Sequence, residues 1–252
     1  MTDSILSLTL VAFIFILAGL VKGVIGMGLP TIAIGLLGLI VAPVDAAAML
    51  VLPSLITNIW QLLSGPNFIA LLKRFKFLLL SICCGTPFGV SFIVSGQTAI
   101  VTAGLGFVLI AYGLYGLSAA RIKVSARAES RASPLAGLIT GVLSGATGIA
   151  ALPVAPYFTA LELKRDELIQ ALGLSFTVAS LALAIGLVIT GEFEVEIATT
   201  SLLALAPAFV GMLLGQYLRK KIPQEQFRRY FFISLLLLGA ATAFRAISLM
   251  PG

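Results

Sequence analysis

The segment Ala18-Gly-Leu-Val-Lys-Gly-Val-Ile-Gly-Met-Gly28 returns as Ala136-Gly-Leu-Ile-Thr-Gly-Val-Leu-Ser-Gly-Ala-Thr-Gly148. Both copies lie in apolar sequence, and both put several glycines where a membrane helix should continue. Glycine weakens a helix and lets the backbone leave helical geometry. In a bilayer, unwound backbone is tolerated only where protein buries it or a cavity lines it. Glycine-interrupted segments at matching places in two halves mark the binding sites of many transporters. The repeat therefore predicts a duplicated helical membrane protein with a site where the two glycine segments meet.

Composition agrees. The chain is 60% hydrophobic and only 10% charged, against roughly 25% charged in a soluble domain. Its 252 residues leave room for about eight to ten spans of roughly 20 residues, with no soluble domain beside them. The net charge of +6 does not point to nucleic acid, because the basic residues fall between apolar spans, where they set orientation. The absence of histidine removes the commonest proton shuttle and metal ligand, and with it Ser-His-Asp chemistry. No metal and no cofactor are expected. There is no Gly-x-x-x-x-Gly-Lys-Ser/Thr motif, so ATP does not power this chain directly. Cys83 and Cys84 are adjacent in an apolar run and read as small packing residues, since vicinal cysteines rarely bridge. The start Met1-Thr-Asp-Ser lacks the basic region of a signal peptide. The first apolar segment is therefore expected to stay in the mature protein.

Apolar runs predict five segments per half. In the first they are Ile5–Val21, Leu29–Val41, Ala46–Leu63, Phe77–Val94 and Thr98–Leu117. In the second they are Leu135–Leu143, Ile149–Leu161, Leu168–Thr190, Ile197–Leu218 and Phe231–Leu249. Leu135–Leu143 and Ile149–Leu161 are too short to cross ~30 Å of hydrocarbon, and read as two arms of a hairpin that dips into the membrane. Fourteen basic residues fall on one side if each hairpin returns to its own side and every other segment crosses once: Lys73, Arg74 and Lys76; Arg121, Lys123, Arg127 and Arg131; Lys164 and Arg165; Arg219, Lys220, Lys221, Arg228 and Arg229. That side is the cytoplasm. Both termini are then external, with Asp3, Asp45, Glu192, Glu194 and Glu196 outside. Each half makes an odd number of crossings, so the repeats are inverted. The expectation is one all-α integral membrane domain over 1–252. Repeat 1 covers about 1–120, a basic linker about 121–133, and repeat 2 about 134–252, each repeat a Gly-rich hairpin plus three transmembrane helices. At an offset near 120, Ser54-Leu-Ile-Thr also matches Ser175-Phe-Thr-Val.

The motifs Gly19-x-x-Lys22-Gly23-x-x-Gly26-x-Gly28 and Pro53-Ser54-x-x-x-Asn58-x-x-Gln61, with the second glycine copy followed by Pro153 and Pro156, make the chain resemble the sulfite exporter TauE/SafE family. The resemblance covers nearly the whole chain. It implies a bacterial or archaeal inner-membrane permease for sulfur-containing anions: sulfite, organosulfonates such as sulfoacetate, or thiosulfate.

Candidate site residues fall into three groups. At the glycine tips, Gly26, Gly28, Gly145 and Gly148 would let backbone N–H groups approach an anion, and Ser144 and Thr147 add hydroxyls. The alternative for these glycines is close helix packing. Lys22 is the cation embedded beside the tips. It costs several kcal/mol, with estimates from ~2.5 upward, unless paired or hydrated, and an anionic substrate would pair it. The alternative is snorkelling to an interface. Ser54, Thr57, Asn58 and Gln61 lie on one helix face, with Ser175 as the counterpart in the second half. This uncharged donor stripe suits sulfonate or sulfite oxygens, though it also suits helix–helix hydrogen bonding. Arg245 reads as a snorkelling residue, and Asp45 and Asp166 as helix caps. The reading is a permease that exposes a small anion alternately to each side. Its partners are that anion and the lipid bilayer, not nucleic acid. An anion channel or, further off, a membrane-embedded enzyme are the alternatives.

Overall fold

The computed structural model describes residues 2–118, 123–219, 221 and 223–249. Arg121, Lys220 and the terminal Gly252 lie outside these residues. Regular structure among the described residues is entirely helical. The first half holds α1 (Thr2–Ile25), α2 (Leu29–Leu37), α3 (Pro43–Leu63), α4 (Phe68–Ile93) and α5 (Thr98–Leu117). The second holds α6 (Ala126–Thr147), α7 (Val154–Ala160), α8 (Arg165–Ile189), α9 (Val195–Leu218) and α10 (Gln224–Ser248). Five helices, α3, α5, α8, α9 and α10, are long and apolar enough to cross a membrane.

Several helices run past the apolar segments that announce them. Helix α6 begins at Ala126, inside the expected linker, and has 22 residues rather than the nine of its apolar run. At 1.5 Å per residue it is about 33 Å long, enough to span. The cause is local: the Ser125 side chain accepts from the Ala128 amide, and Glu129 sits in the first turn, where a carboxylate favours the helix dipole. Helices α4 and α10 likewise absorb Lys73–Lys76 and Arg228–Arg229. Many basic residues therefore sit on helix ends, not in loops. Only the second arm of each hairpin is short: α2 has nine residues and α7 has seven. The second hairpin returns to where it began, since the Val124 amide donates to Ala160 O across its base.

The glycines explain how the long helices pack. A Cβ on Gly19 or Gly23 of α1 would run into the backbone of α9 at Ala208 and Met212, and one on Gly211 or Gly215 into α1 at Ile16 and Leu20. Numbers rise together, so α1 and α9 run parallel. In the same way, Gly137, Gly141 and Gly145 of α6 press on Leu78, Ile82 and Thr86 of α4, also in parallel. Small residues spaced by four let backbones meet where lipid provides no hydrophobic drive. Helices α5 and α10 are antiparallel, with Gly106 against Gly239 and Ala243, and Gly113 against Phe232. Helices α3 and α8 are antiparallel too: Asn58 reaches Ser180, and Gln61 reaches Ile169.

Apart from the buried Lys22 and Arg245 near the far end of α10, the basic residues among those described gather at one end of the bundle. Arg74 of α4 forms a two-pronged ion pair with Glu129 of α6, and Lys123 pairs with Glu162. Phe13, Phe77, Phe88, Phe107 and Phe244 point outward and are exposed. Lys22, Thr57, Asn58, Gln61 and Gln170 are buried. A soluble protein arranges these the other way round, so lipid surrounds this one.

Candidate functional site

Helix α1 ends at Ile25, the chain turns through Gly26 (φ 89°) and Gly28 (φ 106°), and α2 starts at Leu29. Gly28 is the α2 N-cap, and a Cβ there would press on the Phe231 ring. The second hairpin turns at Gly148 (φ 73°), the C-cap of α6. Such left-handed positions favour glycine because other residues strain there. Both turns reach a small central cavity that α3 and α8 close from the sides; Gly28, Ser54, Asn58, Ser144, Gly148 and Ser180 are among its lining. Its volume is about 20 Å³, room for roughly one water.

A second, larger cavity of about 350 Å³ opens toward the basic end, lined among others by Lys22, Gly26, Gln61, Ser64, Asp166 and Arg219. Lys22 stands between the two. It is only 3% exposed, so it does not snorkel. Its Nζ donates to Thr57 Oγ1 at 3.0 Å and to Asn58 Oδ1. Asn58 Nδ2 in turn donates to Ser180 Oγ at 3.2 Å. A chain of polar contacts thus links α1, α3 and α8 across the wall between the cavities. Among the described residues no carboxylate forms an ion pair with Lys22. Asp166, expected only as a cap, lines the same vestibule.

The other expected site residues divide. Thr57 Oγ1 donates to Pro53 O at 2.6 Å while accepting from Lys22. Gln61 Nε2 donates to Ile169 O at 2.9 Å and borders the vestibule. Gly145 instead packs on the α4 backbone and lines neither cavity. Thr147 Oγ1 donates to Leu143 O and accepts from the Ile149 amide, closing the end of α6. Ser175 is buried, its hydroxyl without a partner, and is absent from both linings. The wall of α8 at the cavity is Phe176, Ser180 and Leu183. That three-to-four spacing could have pointed to Ser180, where the offset match to Ser54 favoured Ser175. Thr31, in the first turn of α2, also lines the central cavity, and its place three residues after Gly28 was the available signal. Arg245 does not snorkel: it donates to the Gly38 and Val41 carbonyls at the end of α2, where a cation suits the dipole.

An apolar surface of membrane-length helices around a buried polar centre defines a multi-pass helical membrane protein with an internal polar site. Residues 11–242 match the sulfite exporter TauE/SafE family, and the chain belongs to that family of membrane transporters. No curated protein and no solved structure matches the chain.

Proposed function

We propose that this protein is a carrier for small sulfur-containing anions such as sulfite or an organosulfonate, working by alternating access. The observation that carries the reading is Lys22: a buried cation with no carboxylate partner among the described residues, held by Thr57 and Asn58 between an open vestibule and a nearly closed cavity. A cation in that position is stabilised by an anion that enters the vestibule. Gly26 and Gln61 receive the anion on the vestibule side. Ser54, Asn58, Ser144 and the backbone at Gly28 and Gly148 receive it on the other. Gly145, Thr147 and Ser175 support the tips around this path. The near-closure of the central cavity favours a carrier over an open channel.

In this reading the halves are inverted repeats, with the basic end cytoplasmic and both termini external. The parallel pairs α1–α9 and α6–α4, and the antiparallel pairs α3–α8 and α5–α10, are what a two-fold exchange of the halves would produce. The link from Arg245 near the end of α10 to Val41 just before α3 puts those two ends at one face, as the orientation requires. The test is ligand-induced stabilisation of purified protein. A ligand that binds the folded state raises stability by RT ln(1 + [L]/Kd). Sulfite or methanesulfonate should raise the melting temperature of the wild type and leave that of Lys22→Ala unmoved. Equal shifts in both proteins would remove Lys22 from the site.

A further inference from the structure

Two hydroxyls in the central cavity stand out. Thr31 and Ser54 are 1% and 4% exposed, both line the cavity, and neither hydroxyl oxygen has a hydrogen-bond partner. A buried polar group left unmade is destabilising, and two of them at one small cavity call for an acceptor from outside. Thr31 also sits in the first turn of α2, behind the Gly28 N-cap, which offers no side-chain cap. The leading N–H groups of a helix lack intrahelical partners and carry the positive end of its dipole; in α2 these are those of Leu29 and Thr31, because Pro30 has none and the Ile32 amide donates to Gly28 O. So two hydroxyls and a nine-residue helix face the same small space.

The cavity is lined only by neutral residues. The cation that touches its wall is Lys22, through Asn58. Much of the remaining lining is apolar, with Leu50, Val51, Phe176 and Leu183. One positive charge balances one negative charge. A second negative charge would enter a nearly dry, neutral space, which disfavours it strongly.

We infer that the central cavity is a selectivity station for singly charged oxyanion heads, built from the Thr31 and Ser54 hydroxyls and the α2 N-terminus, and that it rejects doubly charged heads. The inference rests on the carrier reading above and narrows it. Hydrogensulfite and simple alkylsulfonates fit. Sulfate and thiosulfate, which carry two charges on one head, do not. The cavity must widen to hold such a head, because its present volume admits about one water.

The experiment measures ligand-induced stabilisation of the full-length protein with methanesulfonate, sulfate, thiosulfate and sulfite across a pH series. Methanesulfonate should bind at least tenfold more tightly than sulfate or thiosulfate. Relative to methanesulfonate, whose charge is constant, sulfite should weaken as pH rises and hydrogensulfite becomes sulfite. Thr31→Val and Ser54→Ala should each lose about tenfold in methanesulfonate affinity. Their melting temperatures without ligand should be equal to wild type or higher, because each change removes an unpartnered hydroxyl. A structural role would lower the melting temperature instead. If sulfate binds as well as methanesulfonate, or if both variants keep wild-type affinity, the station is wrong while the carrier reading stands. If no anion stabilises the wild type, both fall.

Discussion

The two glycine hairpins share a packing scheme and differ in chemistry. Gly19 and Gly23 of α1 press on the backbone of α9 as Gly137 and Gly141 of α6 press on that of α4. Yet the position that is Lys22 in the first copy is Thr140 in the second. Thr140 is fully buried and its hydroxyl has no partner. The segment matching α3 differs too: Ser54, Thr57, Asn58 and Gln61 of α3 correspond by sequence to Ser175, Val178, Ala179 and Ala182 of α8. The glycine packing recurs and the charge does not. In the first half Thr57 and Asn58 accept from a lysine, and a 350 Å³ vestibule reaches it. In the second the matching position is a buried, neutral threonine. Small residues can fix helix packing in both halves while the buried lysine stands in one of them.

The harshest break in that comparison moves the lysine. Lys22→Thr combined with Thr140→Lys keeps composition and net charge but moves the cation from α1 to α6, away from Thr57 and Asn58. Binding of methanesulfonate should vanish, and stability should fall by ~3 kcal/mol or more, as for a buried charge without partners. Denaturation and ligand titration of the double variant measure both. Retained binding would mean that either half can host the site.

The packing half of the comparison predicts equality. Gly23→Ala and Gly141→Ala each put a methyl into facing backbone, so each should cost ~1–3 kcal/mol of stability. Thermal unfolding in detergent reads this, and a large difference between the two would deny the shared packing. Arg245→Gln removes charged donors from the Gly38 and Val41 carbonyls. It should cost about 1.5–3 kcal/mol and weaken anion binding less than Lys22→Ala does, because it acts only by holding α2 in place. The smallest effect belongs to Thr140→Val, an apolar replacement for an unpartnered hydroxyl. Melting temperature should hold or rise slightly and transport should be unchanged. A clear loss of transport would give the second half a ligand role.

Much of this was legible in the sequence, and the misses have physical causes. The glycine repeat located both turns, and the basic residues located one end of the bundle. The same glycines serve two purposes that sequence does not separate: Gly19, Gly23, Gly137, Gly141 and Gly145 meet backbones of other helices, while Gly26, Gly28 and Gly148 take positive φ. Lys22 and the α3 stripe could be assembled because 54, 57, 58 and 61 share a helix face. That Ser180 and Thr31 line the cavity was not legible, because it depends on which face of α8 and α2 meets the cavity, a tertiary matter. Apolar runs misjudged the start of α6, since Ser125 and Glu129 begin the helix well before its hydrophobic part.

The most direct test of the carrier reading is counterflow. Vesicles containing purified protein are loaded with unlabelled sulfite and diluted into labelled sulfite. A carrier that returns loaded in both directions accumulates label transiently above equilibrium. Wild type should show this overshoot, and Lys22→Glu, with a like charge facing the anion, should show none. A wild type that equilibrates without overshoot, or a Lys22→Glu variant that overshoots normally, would contradict an anion carrier built around Lys22.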